Sequence, residues 1–283
     1  MLIDTHTHLN FNAFKDDTNE IIKRTLENDI WMINVGSQYT TSKRAVEIAE
    51  RYDKGVFAAI GLHPIHLQER KVDASEIDSQ AVFKTRAEEF DYESYKKLAQ
   101  NPKVVAIGEI GLDYYYKPKT KNKLEQFKQK QKETFLKQFN LAKELNLPVI
   151  LHCRVAHNDL IHTLNTKYQL QDSAFSGVIH CFTGNLEQTQ KFLELGFYIG
   201  LNGLILKNVP ALPDPVEIIN QIPLERILLE TDSPYLTPPQ AKEERNQPVN
   251  VRYVAERIAQ IKKVSYEKVA RITTQNAKEL FKI

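Results

Sequence analysis

The chain opens Met1-Leu2-Ile3-Asp4-Thr5-His6-Thr7-His8, an apolar run that stops on residues able to bind a metal, and the same construction recurs downstream. Val104-Val105-Ala106-Ile107 leads into Gly108-Glu109, Val149-Ile150-Leu151 ends on His152, Val178-Ile179 on His180, and Ile227-Leu228-Leu229 on Glu230-Thr231-Asp232. Short apolar runs of this kind read as parallel strands buried on both faces. In a parallel barrel, side chains at the carboxyl ends of different strands converge on one mouth. Four histidines and two carboxylates are therefore expected to meet there, as a metal site of catalytic character.

Working outward, strands are predicted near residues 2–8, 31–35, 56–61, 104–109, 148–152, 177–181, 197–201 and 226–231. Between them apolar residues fall at helical spacing, as in Phe135, Phe139, Ala142 and Leu145, or Val251, Val254, Ala255 and Ile258. Strict alternation argues for a parallel sheet, and eight strands for closure into a TIM-type (β/α)8 barrel. A last helix, from about Ser265 to Phe281, is expected to close the bottom or pack on the outside. The 283 residues, 42% hydrophobic, suit one barrel domain spanning 1–283, close to the ~250 residues usual for this architecture. The stretch 68–90 reads as an elaborated loop after strand three. Residues 117–132 carry seven lysines against one acid, Glu125, and their first half is expected to be a loop on the catalytic face.

The net charge of +2 neither demands nor excludes an acidic partner, so nucleic-acid affinity would need a local patch. Two cysteines, Cys153 and Cys181, give no disulfide framework and suit a reducing compartment. With His6 and His8 inside the first strand there is no room for a cleavable leader, and no run approaches the ~18 apolar residues of a membrane span. A cytoplasmic protein, monomeric or weakly oligomeric, is expected.

His6 and His8 lie two apart, which on a strand places both rings on one face. Glu109 has two oxygens and can bridge a pair of ions; Gly108 and Gly111 beside it suggest close backbone approach. His152 and His180 hold equivalent places in His-Cys-Arg and His-Cys-Phe-Thr-Gly, and Asp232, ending the eighth strand, neighbours the first.

These residues, with Gly61-Leu62-His63-Pro64, Ala106 to Tyr114, Pro148 to Arg154, His180 to Gly184, Glu230 to Tyr235 and Arg245-Asn246-Gln247-Pro248, resemble the TatD family of metal-dependent hydrolases, within the amidohydrolase-like barrels. The resemblance implies two divalent ions bridged by Glu109, one held also by His6, His8 and Asp232, the other by His152 and His180. It also implies DNase activity, including exonuclease action from the 3′ end in some members. Many relatives carry histidine directly after the proline of Gly-x-His-Pro; here Ile65 intervenes before His66. The 68–90 stretch and the lysine run are longer or more basic than the common pattern.

Two ions can activate water, polarise a phosphoryl oxygen and stabilise a departing alkoxide. Asp232 is placed to relay the proton by way of bound water, its pKa held low by the metal, or to serve as a ligand alone. Four imidazoles favour Zn, Mn or Fe in affinity, while phosphate chemistry leans to Mg. Candidate substrate contacts are His63, Arg154, Tyr235 and Arg245; each also reads as packing or a structural ion pair. Tyr114, Tyr115 and Tyr116 are base-stacking or rim-packing residues. Glu230 is expected to pair with or orient a neighbour, the cysteines to fill space behind their histidines, and His157 and His162 to lie at the surface. DNA is thus the leading substrate. The alternatives are a hydrolase of small esters, amides or aminoacyl linkages, and a non-catalytic metal-binding barrel.

Overall fold

Eight apolar runs become eight strands that pair in chain order, each parallel to the next: β1 (Leu2–Thr7), β2 (Ile30–Val35), β3 (Val56–Ile60), β4 (Val104–Asp113), β5 (Val149–Arg154), β6 (Gly177–Ile179), β7 (Tyr198–Leu201) and β8 (Ile227–Leu229). The structure is a computed structural model that describes residues 1–72, 83–85, 87–168 and 176–283. β8 meets β1 just past its own end. Thr7 bridges to Ser233, the Asp232 N–H donates to the His6 carbonyl at 2.9 Å, and the His8 N–H donates to the Ser233 carbonyl at 2.8 Å. The Asp4 carboxylate reinforces the seam by accepting from the Thr231 N–H at 2.9 Å and from its hydroxyl at 2.5 Å.

Helices α1 (Thr18–Glu27), α2 (Tyr39–Ala49), α3 (Tyr92–Leu98), α4 (Lys121–Leu145), α5 (His157–Tyr168), α6 (Leu186–Glu194), α7 (Pro215–Gln221), α8 (Val251–Lys262) and α9 (Tyr266–Phe281) follow the strands. Their boundaries have local causes. An Asn185/Gln188 capping box starts α6, and Asn146, in the left-handed conformation that asparagine tolerates, ends α4 two residues before Pro148.

Successive strand residues alternate between two cores, as a period of two requires. Leu2, Met32, Val149 and Ile227 pack outward on the helices, whereas Ile3, Ile33, Ile150 and Leu228 fill the barrel interior. Ala277, Leu280 and Phe281 of α9 join that interior cluster, so the last helix closes the end of the barrel opposite the mouth.

Two expectations need correction. The lysine run is not a loop through Lys123: α4 begins at Lys121, leaving only Lys117 and Lys119 in the connection, because Lys, Leu, Glu and Gln beyond Thr120 are good helix formers. Farther along α4, Lys128 and Lys132 pair with Asp159, at 3.4 and 3.0 Å, and Lys130 donates to the Leu67 carbonyl. His157 is buried against the rings of Phe182 and Phe192, not exposed, while His162 is at the surface. Of the 68–90 stretch, Arg70–Val72 and Phe83–Thr85 form an antiparallel pair; residues 73–82 and 86 lie outside the described residues. No helix among the described residues is long and apolar enough to cross a membrane.

Candidate metal centre

Simple alternation from Ile3 would turn Thr5 and Thr7 toward the barrel axis and His6 and His8 away from it. The β1–β2 register shifts between Asp4 and Thr7, and the two histidines are delivered to the mouth instead. β4 likewise shifts against β5 between Ile107 and Ile110, around Glu109. His152, His180 and Asp232 need no such device; they continue the inward parity of Ile150, Val178 and Leu228. Close approach of β4 and β5 depends on Gly111, at φ +144°, where a Cβ would lie 2.0 Å from the His152 carbonyl oxygen. Past the strands the chain turns sharply: Val155, Cys181 and Asp232 all have left-handed φ, between 46° and 58°. Such conformations cost about 1–3 kcal/mol each and persist where the surroundings impose them.

Glu109 stands at the centre. Its Oε2 faces His6 Nε2 at 3.5 Å and His8 Nε2 at 4.0 Å. Its Oε1 faces His152 Nδ1 at 2.8 Å, His63 Nε2 at 3.3 Å and His180 Nε2 at 4.0 Å. Asp232 Oδ1 lies 3.3 Å from His8 Nε2, and its Oδ2 3.8 Å from His180 Nε2. All six expected ligands therefore converge. His152 and His180 share the Oε1 side of Glu109, though His152 groups more tightly with His63 than with His180.

The outer nitrogens are held by neighbours. His8 Nδ1 donates to the Val35 carbonyl at 2.8 Å, and His180 Nδ1 donates to Glu230 Oε2 at 2.9 Å, which turns each Nε2 inward. His152 Nε2 is 3.0 Å from Asp113 Oδ2. His63 Nδ1 accepts from the Ile65 N–H at 3.0 Å, so its Nε2 carries the proton and donates to Glu109, a donor rather than a ligand. His6 Nδ1 is buried with no hydrogen-bond partner among the described residues.

Charge follows from burial and neighbours. Burial would raise the Glu109 carboxyl, but the electrostatic pull of the His63 ring and hydrogen bonds from His152, His6 and His63 hold it well below the usual range. Asp232 is likewise lowered against its burial by His180 and His8. His6 and His180 are stacked with centroids 3.4 Å apart. Burial and the His180 charge lower His6 to about 4, while Glu230 and Asp232, acting against burial, raise His180 to about 10. Two buried carboxylates and inward-turned imidazole nitrogens in one small volume share protons in this structure, and they are the donor set that a divalent cation takes when it displaces those protons.

The expected substrate contacts divide. His63 is in the ring. Tyr235 sits near it, 6.4 Å between its ring and that of His8. Arg154 pairs with Asp113 through Nε at 3.0 Å. Arg245 bonds the Ala13 carbonyl and the Asp17 carboxylate and covers Phe14, so it braces the β1–α1 loop. His66, buried on the turn after His63, lies outside the ring. Cys153 and Cys181 are free thiols. Sequence reasoning passed over Asp113; its one signal was a second acid four residues after Glu109.

A (β/α)8 barrel with histidines and carboxylates gathered at its mouth defines a metal-dependent hydrolase. The profile of TatD related DNases matches residues 3–282, and the chain belongs to this family. It is 39% identical over the full length of both chains to YabD of Bacillus subtilis, an uncharacterized metal-dependent hydrolase. To a protein of Pantoea ananatis named 3′-5′ ssDNA/RNA exonuclease TatD it is 31% identical, with 99% of each chain covered. The crystal structure of YJJV, a TatD homologue from Escherichia coli K12, superposes with a TM-score of 0.81 at 28% identity, covering 100% of this chain and 98% of that one.

Proposed function

We propose that the chain hydrolyses phosphodiester bonds of DNA from the 3′ end, using two divalent ions, magnesium, manganese or zinc, at the barrel mouth. The observation that carries this reading is the division of Glu109. One oxygen faces His6 and His8, and the other faces His152, His63 and His180, so Glu109 would be shared by two cations held by the rings on either side. On this reading His6, His8 and Asp232 hold one ion and His152 and His180 the other. Ions bound there supply Lewis acidity toward a phosphoryl oxygen and lower the pKa of water.

The residues do the rest. Asp232, kept ionised, accepts the proton of the attacking water and returns it to the departing nucleotide oxygen. The His63 Nε2–H is aimed into the same ring and donates to substrate oxygen. Glu230 and Asp113 fix the His180 and His152 rings and thereby the positions of the ions. Reduced thiols at Cys153 and Cys181, both pushed up by burial, fit the cytoplasm.

The test is metal-stripped protein reloaded with each ion and offered 5′-labelled single-stranded DNA beside chromogenic carboxylic esters. A ladder shortening from the 3′ end is expected. Ester hydrolysis with intact oligonucleotide would move the assignment to small esters.

A further inference from the structure

Among the described residues four large apolar or aromatic side chains stand open to solvent: Met1, Tyr115 (52%), Val155 (57%) and Leu186. Tyr115 and Val155 sit on consecutive βα connections, after β4 and β5, on the face of the barrel that carries the metal centre, and Leu186 opens α6 beyond β6.

Tyr115 and Val155 flank one cation. The Arg154 guanidinium lies 4.3 Å from the Tyr115 ring centroid and 5.6 Å from that of Tyr116. Its position is imposed from below. Arg154 and Asp113 are register partners on β5 and β4, and Asp113 Oδ2 accepts from Arg154 Nε and approaches His152 Nε2, both at 3.0 Å. Asp113 Oδ1 accepts from the Tyr115 N–H at 2.9 Å. One carboxylate thus ties the rim aromatic, the rim cation and a ring of the metal centre into a single rigid unit. The connection that follows, Tyr114-Tyr115-Tyr116-Lys117-Pro118-Lys119-Thr120, has three aromatics, two cations and no acid.

We propose that Tyr115, with Arg154 and Val155 beside it, is the stacking platform for an unpaired nucleobase next to the scissile phosphate. The inference rests on the phosphodiesterase reading and deepens it. A planar phenol with a guanidinium against it presents a flat, polarisable surface that any base can cover, and nearby lysines attract the backbone without reading sequence. A paired base keeps its neighbours' stacking and cannot lie on Tyr115, so the platform selects frayed or single-stranded ends. Its rigid link through Asp113 sets the distance from that base to the metal centre.

The test is a cycle of two removals, read by fluorescence anisotropy of a labelled single strand on the metal-loaded protein and by KM for its shortening. One removal is Tyr115→Ala; the other replaces the bases of the two 3′-terminal nucleotides by abasic sites. Wild type is expected to bind the abasic strand about tenfold more weakly than the intact one. Tyr115→Ala should bind the intact strand about tenfold more weakly than wild type does, with little further loss on the abasic strand, and Tyr115→Trp should restore the difference. Independent, additive losses, or an intact-strand affinity that ignores Tyr115, would overturn the platform. Tyr115-dependent binding without any strand shortening would uphold the platform and overturn the nuclease reading.

Discussion

The His152 and His180 rings each owe their orientation to one carboxylate outside the centre, and those carboxylates are where substitutions separate binding of metal from integrity of fold. Glu109→Gln and Asp232→Asn remove charge from the centre while leaving its volume filled. Each should lower turnover at least about a hundredfold at saturating metal, with unchanged circular dichroism. Glu230→Gln and Asp113→Asn act one bond farther out. They should weaken metal affinity about 10- to 100-fold, measured by competition with a chromophoric chelator, with turnover recovered in part at high metal. Two buried histidines bear on stability instead. Burial lowers His66 to about 3, and burial, with the His152 charge, lowers His157 to about 4. Below about 6.5 the unfolded chain takes up protons that the folded one refuses, so stability must fall as pH drops from about 6.5 toward 4. The slope is at most about 1.4 kcal/mol per pH unit for each histidine. Urea midpoints across that range should show the decline, and it should be shallower in His157→Gln.

At the scale of elements, the β4–α4 connection is shorter than its composition suggests, and its electrostatics shrink accordingly. Only Lys117 and Lys119 precede the helix. Replacing both by glutamine should flatten the salt dependence of single-strand binding by no more than about 1.4 in log K against log salt, at roughly 0.7 per phosphate. A larger change would mean that these lysines organise more than charge. The same connection shows what could be read from the chain alone. Strands announce themselves because a barrel strand is apolar on both faces, and the residues that end them were visible as polar stops. The facing of His6, His8 and Glu109 was not legible. The two-residue spacing of the histidines is right, but simple parity points them outward, and only the register shift in β1 corrects it. Asp113 stayed hidden for a related reason: β4 runs on to residue 113, past where its apolar stretch stops, and only paired register with Arg154 reveals the ion pair. His157 looked like a surface residue because its burial is made by Phe182 and Phe192, which come from later in the chain.

Across the whole molecule, the end of the barrel away from the chemistry is a plug of side chains from α9. Phe281→Ala and Leu280→Ala should each cost about 2–5 kcal/mol in urea denaturation, since both side chains are buried in the interior cluster. Metal affinity in the surviving folded fraction should be unchanged, because the plug and the centre lie at opposite ends of the barrel. The seam has a different consequence. His6 and His8 stand on the first strand and Asp232 follows the eighth, joined through Thr7 to Ser233 and Asp4 to Thr231. During synthesis, a chain that has not reached residue 232 holds His6 and His8 without the carboxylate that faces them. Contacts of such long separation form late. Hydrolytic competence is therefore withheld until the ribosome has made nearly all of the protein, and the order of synthesis itself acts as a safety catch on the enzyme.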